Sequence, residues 1–117
     1  MSNNSQIAFN PQGKTVVIAA TTSAPAGLQA PVNAVNTAQA TGQYRIVNSG
    51  TVAVFLGFGA TAAEATANAV APIAGTPTSA LALLPGAIEV LRFTANTFFS
   101  GLASSATSVY ITPGQGL

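Results

Sequence analysis

The chain has 117 residues and a formal charge of +1, built from only Lys14, Arg45, Glu64, Glu89 and Arg92; histidine, cysteine, tryptophan and aspartate are absent. Charged side chains make up 4% of it, against about a quarter of an ordinary soluble domain. That composition excludes a thiolate metal site and a disulfide scaffold, and leaves specific nucleic-acid binding without a patch able to neutralise several phosphates.

Apolar residues account for 49% of the chain and the mean hydropathy is +0.49. The longest strongly apolar stretch, Val52 to Phe58, is far short of the roughly 20 residues of a membrane-spanning helix. A small domain has too little interior to hide so much apolar surface, so the surplus is expected at subunit interfaces. The start, Met1-Ser2-Asn3-Asn4-Ser5-Gln6, has neither the positive end nor the apolar run of a signal peptide.

Residues 1–12 read as a polar arm, with Phe9 and Pro11 as anchors, ahead of a single domain over 13–117. Lys14 to Ala20 is β-branched at Thr15, Val16, Val17 and Ile18 and predicts a strand. Residues 21–42 contain Pro25, Gly27 and Pro31 and form a loop-rich segment, with one short edge strand expected near Gln29 to Val35.

Tyr44, Ile46 and Asn48 then alternate with Arg45 and Val47, Asn48-Ser49-Gly50 makes a turn, and Thr51 to Gly59 sets Val52, Val54, Leu56 and Phe58 on one face. Two period-two runs around a glycine-containing turn predict a hairpin. Phe55 lies opposite the main apolar row, so that strand is expected to be covered on both faces. Ala60 to Ala71 is alanine-rich but interrupted by threonines and closed by Pro72; either one short helical turn or an extended arm fits it.

Beyond Gly75-Thr76-Pro77, strands are expected at Leu81 to Leu84, Ile88 to Phe93, Thr97 to Leu102 and Thr107 to Thr112. Pro113-Gly114-Gln115-Gly116 reads as a terminal turn or tail. The sum is an all-β chain: a single antiparallel β-sandwich of about seven to nine short strands with jelly-roll-like connections.

Catalytic chemistry has little to work with. Glu64 and Glu89 are the only carboxylates and nothing in the sequence brings them together as hydrolysis requires. Serine and threonine hydroxyls lack an activating base other than Lys14. Gly57-Phe58-Gly59 and Gly114-Gln115-Gly116 lack the spacing of a phosphate-cradling loop. No enzymatic activity, metal or cofactor is expected.

The candidate interaction residues are Arg45, Phe55, Glu89, Arg92, Phe98, Phe99 and Tyr110. Glu89 and Arg92 fall on opposite faces of one strand. Arg45 is a possible partner for Glu89 across a strand or subunit boundary, simple solvation of both being the competing expectation. Phe98 and Phe99 cannot share a face, so at least one of them meets the second layer or a neighbouring molecule. Core packing is the leading expectation for the aromatic residues as a group.

Tyr44-Arg45-Ile46-Val47-Asn48-Ser49-Gly50 with the following Val52 to Gly59 strand, then Leu84-Pro85-Gly86, the Phe98-Phe99 strand and Val109-Tyr110-Ile111-Thr112-Pro113-Gly114-Gln115-Gly116-Leu117, together resemble small virion proteins of tailed bacteriophages. Over residues 43–117 the chain is similar to capsid decoration, or cement, proteins. That resemblance implies a β-sandwich or jelly-roll subunit that forms a homodimer or homotrimer, trimer favoured, and binds the major capsid protein on the outer surface of the head without catalytic residues. The alternative expectation is a phage tail or fibre module that recognises a host surface glycan through loops and exposed aromatics.

Overall fold

The computed structural model describes residues 8–34 and 41–115. Its described residues form nine strands and one helix: β1 (Asn10–Pro11), β2 (Val16–Ala20), β3 (Leu28–Gln29), β4 (Thr41–Asn48), β5 (Val54–Gly59), α1 (Ala62–Asn68), β6 (Leu81–Leu83), β7 (Ile88–Thr94), β8 (Phe98–Ala103) and β9 (Thr107–Gln115). Pairing between these strands is antiparallel and nested: β2 with β9, β3 with β8, β4 with β7, β5 with β6. A nested ribbon rolled on itself sends alternate pairs to opposite layers. One sheet (sheet A) has the order β1-β9-β4-β7 with β2 also on β9, and the other (sheet B) the order β3-β8-β5-β6. This is the jelly-roll sandwich expected from the sequence.

Alternation builds the core. Ile18, Tyr44, Ile46, Val109 and Ile111 point inward from sheet A and meet Val54, Leu56, Leu83 and Phe99 from sheet B, all at most 4% exposed. Truncating any of the larger ones to alanine removes contacts worth about 2–5 kcal/mol.

The expected hairpin is not formed. β4 pairs with β7 and β9, whereas β5 pairs with β6 and β8. Both strands carry an inward apolar row and both are interior strands, so each needs a partner on either side within its own sheet. Residues 49–53 carry the chain from one layer to the other, and the strand expected from Thr51 starts only at Val54.

Asn48 secures that crossing. Fully buried, it donates from Nδ2 to the carbonyls of Val52 (2.9 Å), Leu83 (3.1 Å) and Leu84 (3.2 Å), and its Oδ1 accepts from the Gly50 amide (3.1 Å) and Thr107 Oγ1 (3.1 Å). Its main chain bonds Ala87 O and Gly86 N, each at 3.0 Å. A side chain at Gly50 would run into Thr107, which explains glycine there.

The alanine-rich stretch resolves into a helix. Thr61 caps α1 by accepting from the Glu64 amide (3.2 Å), and Glu64 Oε1 reaches back to the Ala60 amide (2.8 Å). This is a variant of the capping box, readable as Thr61-x-x-Glu64. The helix lies on the outer face of sheet B because Gly57 has no side chain: a Cβ there would come within 2.3 Å of Ala65 O and Ala69 N. β5 is thus covered on both faces, as expected, by the second sheet and by this helix. Thr66 and Ser100 hydroxyls both donate to Pro25 O (2.9 and 2.7 Å), fastening helix, β8 and the segment after β2 together.

The carboxy-terminal turn or tail is replaced by strand: β9 continues through Pro113 to Gln115. A proline is tolerated in this interior strand because of a register shift. β1 pairs Pro11 with Gly114 and β2 pairs Val16 with Ile111, so residues 12–15 bulge opposite 112–113. The Pro113 carbonyl faces that bulge and accepts from the Gln12 amide (2.9 Å), so the missing N–H falls where the ladder is already broken. The expected edge strand near Gln29 to Val35 is shorter and earlier, at Leu28–Gln29. Of the proposed amino-terminal arm, Asn10–Pro11 joins sheet A as an edge strand, and residues 1–7 lie outside the described residues.

Replacing Asn48 by alanine is expected to lower the unfolding free energy by about 2–4 kcal/mol, since it strands carbonyls and an amide in the interior; Thr107→Val should cost only about 1 kcal/mol. Urea denaturation measures both. A loss for Asn48→Ala no larger than for Thr107→Val contradicts the role given to the carboxamide.

Candidate interaction surface

Among the described residues, no helix lies on the outer face of sheet A. Register aligns its outward side chains in rows across the strands: Val17 opposite Tyr110, Tyr110 opposite Val47, and Val47 opposite Ile88. Val17 is 42% exposed, Tyr110 39% and Ile88 57%, with Val47 half-buried between them. The next row is Thr15, Thr112, Arg45 and Val90, in which Thr15 Oγ1 and Thr112 Oγ1 lie 2.7 Å apart. Arg92, opposite Gln43, follows on the same face. An apolar band is therefore flanked by two arginines, which as diagonal neighbours stand roughly 7–8 Å apart at the backbone. Phe9 and Pro11 border the Arg45 side of the band.

The sequence candidates divide. Arg45, Arg92 and Tyr110 come together on this face. Glu89 does not join them: opposite Ile46, it belongs to the inward-facing set of edge strand β7, although it is exposed. Arg45 and Glu89 consequently project from opposite faces of one sheet, which removes their proposed pairing within the chain. A charge at this position on an edge strand discourages a further strand from adding there. Phe55 and Phe98 lie on the outer side of sheet B, both half-buried.

Phe99 is corrected outright as an interface candidate. It is 0% exposed and packs edge-on against Tyr44 (5.9 Å between centroids) and Phe93 (5.0 Å) in the core. Of the consecutive phenylalanines, Phe99 is the one that meets the second layer. Sequence reasoning missed Val17, Val47 and Ile88. Their outward parity was readable, but the row they form depends on which strands are neighbours.

A second feature lies where β7 turns into β8. A cleft of about 520 Å³ is lined by Gln29, Phe58, Arg92, Phe93, Asn96 and Phe98 together with the turn backbone. Asn96 has φ 65°, a left-handed conformation that asparagine tolerates better than most residues. Its turn is held on two sides: Gln29 Nε2 donates to Asn96 O (3.3 Å) and Thr97 Oγ1 donates to Thr94 O. Phe58 and Phe93 meet at 5.0 Å in its floor.

The two carboxylates sit on different elements, Glu64 in the first turn of α1 and Glu89 on β7. Comparison with known proteins finds no matching family, no matching curated protein and no matching solved structure.

Tyr44 links core and cleft, and its titration gives a test. Burial pushes its phenol above the ordinary 10.0, an effect partly offset by the hydrogen bond from Asn96. The unfolded chain then loses this proton first, so stability is full below pH 10.0 and falls as pH rises from there toward the folded value. Stability measured across this range should decline more steeply in the wild-type protein than in Tyr44→Phe, whose ring has no proton to lose. Parallel alkaline profiles contradict the assignment.

Proposed function

We propose that this chain is a structural virion protein that decorates the outside of an assembled phage head, with the outer face of sheet A as its attachment surface. The observation that carries the proposal is the band of Val17, Tyr110, Val47 and Ile88 beside Arg45 and Arg92, uncovered among the described residues. Exposed apolar surface in a contiguous band marks interaction sites, and flanking charges set register and partner choice. The scarcity of catalytic side chains and the ordered likeness of residues 43–117 to decoration proteins support the same reading.

Attachment through this face would bring one subunit's arginines onto the major capsid protein. Two copies meeting face to face through it would instead oppose arginine to arginine with no acid among the outward residues of the sheet. A two-fold homodimer therefore belongs on another surface. Ile73 at 70% exposure and Leu84 at 68% supply apolar contacts away from the strands of sheet A. Multiple weak contacts repeated around a shell add up by multivalency, so each interface can be small.

Electron microscopy of heads lacking tails should show near-stoichiometric copies of the protein on the outer shell, and heads made without it should rupture more readily on heating. Its absence from such heads rejects decoration and favours the tail or fibre alternative, for which the cleft beside Asn96 is the specific observation.

A further inference from the structure

The cleft between the end of β5 and the β7–β8 turn carries an inference that does not depend on shell attachment. Its walls combine three kinds of chemistry. Phe58, Phe93 and Phe98 are all half-buried and lend ring surface to an opening of about 520 Å³, within the range of small-ligand sites. Arg92 is the one charged residue lining it, and its guanidinium has no partner among the described residues. The Asn96 carboxamide is also unengaged among the described residues, while Gln29, whose Nε2 is committed to Asn96 O, retains an accepting Oε1.

The frame around these groups is fixed before any ligand arrives. The Asn96 carbonyl accepts from Gln29, and Thr97 closes the turn onto Thr94. Binding therefore has little ordering of the turn to pay for.

We propose that this cleft binds a saccharide whose pyranose ring carries a carboxylate, such as a uronic or sialic acid residue of a glycan. One guanidinium and no acid in the lining match a single negative charge, and a guanidinium pairs with a carboxylate through two parallel hydrogen bonds. A free carboxamide and an amide oxygen match ring hydroxyls, which both donate and accept. The phenylalanine surfaces suit the apolar C–H face of a pyranose. A phosphate would leave the aromatic surface without a use, and a neutral sugar would leave Arg92 without one. The site shares Arg92 with the margin of the open sheet face but adds aromatic rings and carboxamides that the face lacks.

The test titrates the isotope-labelled full chain, followed by amide NMR, with methyl glucuronide, the methyl glycoside of N-acetylneuraminic acid, methyl glucoside and inorganic phosphate. At least one carboxylated sugar should shift the amides of Gln29, Arg92, Asn96 and Phe98 while glucoside and phosphate do not. Arg92→Gln, at an exposed position that leaves the fold intact, should weaken that binding by about tenfold or more. Asn96→Gly, which keeps the left-handed backbone, should weaken it to a smaller extent. Shifts absent with both acidic sugars, equal shifts with glucoside or phosphate, or full binding by Arg92→Gln would each overturn the proposal. None of these outcomes bears on whether the chain is found on heads.

Discussion

A single buried carboxamide holds together the end of the sandwich where the chain changes layers. Asn48 closes β4, and its side chain reaches the loop into β5, the end of β6 and the start of β9. Polar groups in a core are costly unless satisfied, and this one is satisfied at both ends, so the cost becomes specificity. A jelly roll must cross between sheets at such corners, and each crossing interrupts the ladders that would otherwise pair the backbone. Asn48 supplies those missing bonds in place of a ladder. With the corner fixed, β4 and β5 are committed to different sheets and the nested pairing of the remaining strands follows.

The two outer faces that result are physically unlike. On sheet B, Gly57 admits α1 to close range, and Pro25 O gathers the Thr66 and Ser100 hydroxyls. On sheet A no such cover exists among the described residues, and the outward row from Val17 to Ile88 is accessible there. The chain spends two of its three cations, Arg45 and Arg92, beside that row, and places its acids elsewhere: Glu64 in the first turn of α1 and Glu89 on the opposite parity of an edge strand. In a chain with so few charges this segregation gives the molecule one polarised face. Three edge strands are blunted by shortness, β1 and β3 at two residues and β6 at three, while the longer β7 carries Glu89 and Arg92.

Much of the architecture was legible because strand periodicity and turn residues are local signals. Val16 to Ala20, the alternation in Tyr44 to Asn48 and in Val54 to Phe58, and the turns at Pro85-Gly86 and Asn96 all lie in or beside the elements they predicted. Pairing was less legible: Asn48-Ser49-Gly50 has the residues of a hairpin turn, and only the long-range bonds of Asn48 to Leu83, Leu84 and Thr107 divert it. Pro113 looked like a strand terminator because the compensating bulge at residues 12–15 lies at the other end of the sequence. For the same reason the interaction face was half visible. Arg45, Arg92 and Tyr110 drew notice singly, whereas the band joining Tyr110 to Val17, Val47 and Ile88 exists only once β2, β9, β4 and β7 are side by side. The cleft was invisible, being assembled from the ends of separate strands around a turn.

The orientation of the subunit on its partner is the point on which the shell-binding account turns, and the absence of native cysteine makes it directly measurable. Single-cysteine variants at Ile88, on the open face of sheet A, and at Ala63, exposed on α1, can be reacted with a maleimide free in solution and again after binding to heads. The account predicts that head binding slows labelling of Ile88→Cys several-fold and leaves Ala63→Cys unchanged. Protection of Ala63→Cys with Ile88→Cys still freely reactive would contradict it.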